Sequence, residues 1–176
     1  MDRVEVSTVV YLPPEEIYEF LEDFPRYARY SKYLDAVEQN GDGGPGTQYD
    51  LTFAWWKVSY TARSAVTAVD PPDRIEWELV KDLEAHGRWQ IDPDPDATPP
   101  DREAASRVRF VAEFDPSSTS RRALDLPRLI SFDWLVGKVK PLILEEAERV
   151  VERIVADIEG ERREVELTIH ETPSSV

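Results

Sequence analysis

The 176-residue chain carries 36 acidic against 21 basic residues, a net charge of −15, and no cysteine. The lack of cysteine excludes disulfides, thiolate metal sites and cysteine nucleophiles. A surface of that sign repels a phosphate backbone, so nucleic acid is not an expected partner.

The length suits a single domain, 1–176, with one core. The opening residues, MDRVEV, have neither a basic n-region nor an apolar h-region, and no run of about 18 apolar residues occurs. Neither a signal peptide nor a transmembrane segment is expected, and the expected location is cytoplasmic. Val4 to Tyr11 is β-branched, with Val4, Val6, Thr8 and Val10 alternating, which predicts a strand with one buried face. Pro13 and Pro14 end it, because proline cannot donate to a ladder. Pro14 suits the first position of a helix, and Glu15 and Glu16 fall where the positive end of the dipole favours acids. Ile17, Phe20, Leu21 and Phe24 recur at helical spacing before Pro25 closes the helix. Tyr27, Tyr30 and Tyr33 then predict a second short helix.

After Val37 and Glu38, GDGGPG marks a turn. Period-two alternation follows: Tyr49, Leu51, Phe53; then Ile75, Trp77, Leu79; then Gly87, Trp89, Ile91; then Val108, Phe110, Ala112, Phe114. This is the pattern of an antiparallel sheet with one wet and one dry face. The strand SYTARSAVTAV has no parity that the sequence fixes. Residues 92–105, DPDPDATPPDREAA, read as a flexible acidic proline-rich loop. Leu135, Val139, Leu142, Ile143, Ala147, Val150, Val151, Ile154 and Ile158 follow helical spacing, and Glu145, Glu146, Glu148, Arg149, Glu152 and Arg153 fall on the polar side. Pro141 starts or kinks this helix, and Gly160 caps it. In the C-terminal extension, 161–176, EVELTIH alternates as a short added strand and SSV frays.

The order is strand, two short helices, antiparallel strands, one long helix, and only that helix can cover the dry face. The chain resembles the START-like (SRPBCC) helix-grip superfamily, which includes polyketide cyclases/dehydratases, lipid-transport and coenzyme-Q-binding proteins. The likeness is carried by VYLPPEEIYEFLEDFPRYARYSKYL, GDGGPGTQY, AVDPPDRIEWEL, GRWQI with SRVRFVAEF, and LILEEAERVVERIVADIE. The dispersed acidity and scarce Lys are similar to proteins of extreme halophiles, whose self-repulsion concentrated salt screens. The resemblance is therefore to a halophilic archaeal member.

The resemblance implies an α+β helix-grip fold: a curved antiparallel sheet of six or seven strands wrapped around a long C-terminal helix, with two short helices after the first strand. It implies an apolar cavity between sheet and helix that holds a hydrophobic ligand. The residues expected there are Phe53, Trp55, Tyr60, Trp77, Trp89, Phe110, Trp134, Leu142 and Val150, with Gly87 and Ala112 leaving room beside the rings. SSTSRRALDLPRLISFDWL reads as a lid or as a plain connection. Trp55 and Trp56 are adjacent, so one of the two lies exposed at a rim, where it gates a pocket or makes transient membrane contact.

No nucleophile elbow, phosphate loop, dinucleotide fingerprint or HExxH occurs. His86 and His170 have no ligand-like spacing, so no metal and no cofactor is expected. Tyr60, Arg63 and Asp133 remain as candidates for polar chemistry, whereas His86 and Arg88 have the wet-face parity of their strand. Three functions follow: a carrier or sensor of a lipid, isoprenoid quinone or polyketide-like compound; a cyclase or dehydratase working through polar cavity groups; and a protein-interaction module. The first is the expected one. The second needs a buried ionisable group facing the cavity, and the third is disfavoured by a uniformly acidic surface.

Overall fold

In the computed structural model, residues 1–55, 57–119 and 132–173 are described, with the backbone alone over 132–144. Strand β1 (Asp2–Val10) runs into helix α1 (Pro14–Glu22), whose first turn carries Pro14, Glu15 and Glu16 as predicted. A 3-10 helix over Phe24–Arg29 takes the place of the second predicted helix, shorter than the tyrosine spacing suggests. Then come β2 (Leu34–Asn40), β3 (Gln48–Trp55), β4 (Val58–Asp70), β5 (Arg74–Leu79), β6 (Glu84–Pro93) and β7 (Ser106–Asp115). Helix α2 (Phe132–Glu159) and strand β8 (Thr168–Glu171) finish the described chain.

All strands join one antiparallel sheet in the order β2-β3-β4-β5-β6-β7-β1-β8. The sheet therefore has eight strands, not six or seven. One margin, β8, is the short strand expected in EVELTIH, and the addition is the opposite margin, β2. Edge strand β2 escapes a sequence reading because only Leu34 and Val37 turn inward, and a register shift between Leu34 and Ala36 breaks its alternation. At the other margin β8 pairs with β1 through Glu5↔Glu171, Val6↔Ile169 and Ser7↔Thr168.

The inner face follows from register. Val66 opposes Trp77, Ile75 opposes Trp89, and Trp89 opposes Phe110, with Val6 beyond it on β1. A shift between Val66 and Ala68 flips the parity of β4, so Tyr60, Ala62, Ser64 and Val66 share the inner face on one side of it. That bulge is why the inward parity of this strand is not legible from alternation.

Ile17, Phe20, Leu21 and Phe24 join Tyr49, Val66, Ile75, Ile91, Val108 and Val155 in one buried core, with Val150, Val151, Ile154 and Ile158 packed against it. The described half of α2 thus lies on the inner face, beside α1. It is pinned there by polar contacts: Asp157 accepts from Arg26 (3.1 Å) and Tyr30, Arg153 donates to the Tyr30 carbonyl at 2.7 Å, and Glu159 accepts from the Tyr11 amide at 2.7 Å. α2 runs continuously through Pro141 and ends where Gly160, at φ +79°, closes it with a bond to the Ala156 carbonyl of 3.1 Å. Only a residue without a Cβ takes that backbone conformation at little cost.

The segment between β6 and β7 contains a 3-10 turn, Pro95–Ala97, and closes at its base through Asp94 N to Ala105 O at 2.9 Å. Arg102 ties it to the end of α2 by reaching Glu161 at 3.0 Å.

Candidate functional site

Among the large side chains of the inner face burial falls off along the central strands, although Ala85 at the far end of β6 is again only 7% exposed. Next to α1, Tyr49 is 0%, Ile75 2%, Ile91 1% and Val155 1% exposed. Moving away from α1 along the same strands, Leu51, Trp77, Trp89 and Phe110 are only partly buried, and Phe53 is 40% exposed. One end of the sheet–helix interface is solid, and the other, toward the β3–β4 hairpin and the β5–β6 turn, is incompletely covered. That open end is the candidate site.

Its rings are organised. Trp77 stacks on Phe110 at 5.9 Å between centroids, and Trp89 tilts against Phe110 at 4.7 Å. Gly87 does not leave room beside them, contrary to expectation. A Cβ there would lie 2.2 Å from the Val111 carbonyl oxygen and 2.6 Å from the Trp77 ring. The glycine lets Trp77 lie flat against the backbone of β6, so space freed by the missing side chain is already taken by an indole.

The polar candidates separate by face. Tyr60, opposite Phe53 on the inner face, donates to Asp82 at 3.2 Å. Burial, with the Asp82 charge and hydrogen bond added, pushes its hydroxyl up to about 12. Arg63 points to the outer face, where it forms a two-pronged pair with Asp50 (2.8 and 3.2 Å) that holds that carboxylate below its usual range. Arg63 is therefore not placed for cavity chemistry. His86 binds Glu113 at 2.9 Å on the outer face, in keeping with its parity, and Arg88 lies on that face too.

Val150, expected in the cavity, is partly buried and packs against the core cluster. Trp55 is partly buried and opposes Val58 at the tip of the β3–β4 hairpin. The side chains of Asp133, Trp134 and Leu142 lie outside the described residues, as do Trp56, SSV and most of the proposed lid segment, residues 120–131.

One residue was misplaced by the sequence reading. Glu146, assigned to the solvated side of α2, is only 4% exposed, whereas its neighbour Glu145 is exposed. Its Oε1 accepts from the Lys32 amide at 3.4 Å and from Arg153 at 3.3 Å, and its Oε2 is buried without a hydrogen-bond partner. The signal was available: Glu146 stands four residues after Leu142 and four before Val150, on the line of the apolar stripe. A carboxylate embedded among interior positions is the type of group that fixes or acts on a bound molecule.

Two hollows border this site. One of about 220 Å³ is lined by Trp77 and Gly87 together with the outer-face residues Glu76, His86, Arg88 and Glu113. Another, of about 360 Å³, borders the Leu79–Glu84 turn and Ser118. Among the described residues no cluster of three or more His, Asp or Glu is arranged to hold a metal, and no helix is long and apolar enough to cross a membrane.

Residues 1–159 match the family described as polyketide cyclase / dehydrase and lipid transport. No curated protein matches the chain closely enough to count as a relative. Among solved structures, a START superfamily protein from Mycobacterium smegmatis aligns with a TM-score of 0.60 and 18% identity, covering 90% of this chain and 99% of that one. A protein from Thermus thermophilus gives 0.60 and 18%, with 90% and 97% covered. The Zhui aromatase/cyclase from Streptomyces sp. R1128 gives 0.59 and 15%, with 89% and 93% covered. At these identities the likeness is one of fold.

Proposed function

Because this chain belongs to the polyketide cyclase / dehydrase and lipid transport family, we propose that it binds a hydrophobic small molecule between the open end of its sheet and the N-terminal half of α2. The domain, taken as one START-like unit, works as a carrier or sensor, with an isoprenoid quinone, other lipid or polyketide-like compound as cargo. The observation that carries this reading is the burial gradient: an inner face solid at Tyr49, Ile75 and Ile91 gives way to partly covered rings at Phe53, Trp77 and Phe110. Apolar rings left partly uncovered on the core face of a sheet are what a greasy ligand buries, at about 25 cal/mol for each Å² taken from water.

Phe53, Trp55, Tyr60, Trp77, Trp89, Phe110, Trp134, Leu142 and Val150 remain the proposed contact set. Tyr60 is its hydroxyl-bearing member; Asp133 stays a separate candidate for polar chemistry, and Arg63 drops out on its outward position. The net charge of −15 supports operation in a salt-rich cytosol.

The reading is tested by native mass spectrometry of the purified protein before and after chloroform–methanol extraction, followed by exposure to lipid and quinone vesicles. A co-purifying or acquired apolar mass is expected. A protein that stays ligand-free throughout contradicts it.

A cyclase- or dehydratase-type activity is favoured by one observation, the buried Glu146 carboxylate, since such chemistry needs an ionisable group out of bulk water. Turnover of an aromatic-polyketide mimic that is abolished in Glu146→Gln would establish it.

A further inference from the structure

Helix α2 carries two buried glutamates that differ in one respect. Glu159 is fully satisfied: its carboxylate accepts from the Tyr11 amide at 2.7 Å and from Arg163 at 2.8 and 2.9 Å. Glu146 is not. Both of its contacts fall on Oε1, at 3.3 and 3.4 Å, the long limit for an N–H···O bond. Arg153 makes its short contact, 2.7 Å, with the Tyr30 carbonyl instead. Oε2 is buried with no partner.

Four buried side-chain atoms lack a partner among the described residues. Arg26 Nε and Arg109 Nε belong to guanidinium groups bonded through their other nitrogens. The Tyr49 hydroxyl is neutral and lies at the solid end, its ring against Phe24. Glu146 Oε2 is the one that belongs to an acid.

A buried carboxylate with half its acceptor capacity idle is costly, and a leucine of similar bulk would remove that cost. A glutamate serving only the fold has the example of Glu159 on the same helix, held by three short bonds. Position matters as well. Glu146 precedes the fully buried Val155 by nine residues, roughly 13 Å of helix rise, and its contact Lys32 lies two residues before Leu34, which pairs with Phe53 at the open end.

We propose that Glu146 Oε2 is the polar anchor of the ligand site, and that the cargo therefore presents a hydroxyl group, as a phenol, hydroquinol or long-chain alcohol does. This rests on the ligand-binding reading above and narrows it. A carboxylate accepts and does not donate. A ligand hydroxyl supplies the missing donor, whereas a quinone carbonyl would set one acceptor against another. An ammonium group could donate too, but it would have to leave water for a site lined by tryptophan and phenylalanine, a larger cost than burying a hydroxyl. The carrier thus distinguishes the reduced, hydroxylated form of an aromatic cargo from its oxidised form.

The test uses a matched pair of probes, 4-dodecylphenol and its methyl ether, titrated into the full chain by tryptophan fluorescence. The wild-type protein should bind the phenol about ten- to hundredfold more tightly than the ether, the range of a hydrogen bond to a charged group. Glu146→Gln should reduce that preference and Glu146→Leu should abolish it, in each case through weaker binding of the phenol. Glu146→Leu removes a buried charge, so its melting temperature should equal or exceed that of the wild type, which guards against misfolding as the cause. Equal binding of both probes by the wild type, or a phenol preference that persists in Glu146→Leu, overturns the inference and leaves the cargo reading standing. Binding of neither probe overturns the cargo reading and the inference with it.

Discussion

Tyr49 and Phe53 stand on the same face of the same strand, yet one is wholly buried and the other 40% exposed. The difference lies in what sits above them. Over Tyr49 lie Phe24 and the helical elements after β1, tied to the C-terminal half of α2 through Arg26, Tyr30 and Asp157. Phe53 is beyond the reach of those elements, beside Tyr60 near the β3–β4 hairpin. The same contrast separates Ile75 from Trp77 on β5 and Ile91 from Trp89 on β6. One end of the molecule holds the fold together, and the other is available for function.

Substitutions break this contrast apart most strongly. Ile91→Ala at the solid end should cost about 2–5 kcal/mol in urea unfolding, through lost burial and a residual cavity. Phe53→Ala at the open end should cost under about 1 kcal/mol, because a partly exposed ring loses little by truncation, and should weaken binding of 4-dodecylphenol. Similar destabilisation by both would erase the distinction. Next in size is Gly87→Ala. Its new methyl meets the Val111 carbonyl at 2.2 Å and Trp77 at 2.6 Å, so about 1–3 kcal/mol should be lost as Trp77 lifts from β6, with a shift in tryptophan emission.

Titration gives smaller effects, losses of stability at both pH extremes that arise from pKa shifts of opposite direction. The Asp157 carboxylate is held below its ordinary value by the Tyr30 hydrogen bond and then by Arg26, and the Glu5 and Glu113 carboxylates are lowered chiefly by Arg3. Depressed carboxylates stabilise the fold above the unfolded-state value and lose that contribution as pH falls through the folded one. Thermal stability should therefore decline below about pH 4. Tyr60 is the reverse case. Its hydroxyl is raised to about 12, so the unfolded chain gives up this proton first and stability should fall between about pH 10 and 12. In Tyr60→Phe the tyrosinate step near pH 12 should lose one tyrosine's amplitude in an absorbance titration. The smallest effect is expected from Arg63→Ala. That exposed pair with Asp50 lies on the outer face, so neither melting temperature nor probe affinity should change measurably.

Much of this contrast was legible in the sequence. The Pro13-Pro14 boundary, the alternating runs of β3, β5, β6 and β7, and the stripe from Val150 to Ile158 each record one local periodicity, and local periodicity survives into the fold. Features set by neighbours did not announce themselves. The parity of β4 depends on a bulge at Val66–Ala68, and β2 shows too little alternation to be read alone. Gly87 suggested space but is occupied by the indole across from it. At the site, Trp77, Trp89 and Phe110 were readable by face, yet their mutual stacking was not. Glu146 was hidden by composition: in so acidic a chain, one more glutamate beside Glu145 looks solvated unless its spacing from Leu142 and Val150 is weighed.

The central claim is that the open end of the inner face holds an apolar guest. It is tested most directly by photolabelling the full chain with a long-chain alcohol bearing a diazirine in its tail, then mapping the adducts by tandem mass spectrometry. The account predicts labels concentrated on Phe53, Tyr60, Trp77 and Phe110, and competed away by unlabelled 4-dodecylphenol. Adducts confined to the outer-face hollow around Glu76, His86 and Arg88, or scattered over the surface and insensitive to competitor, would contradict it.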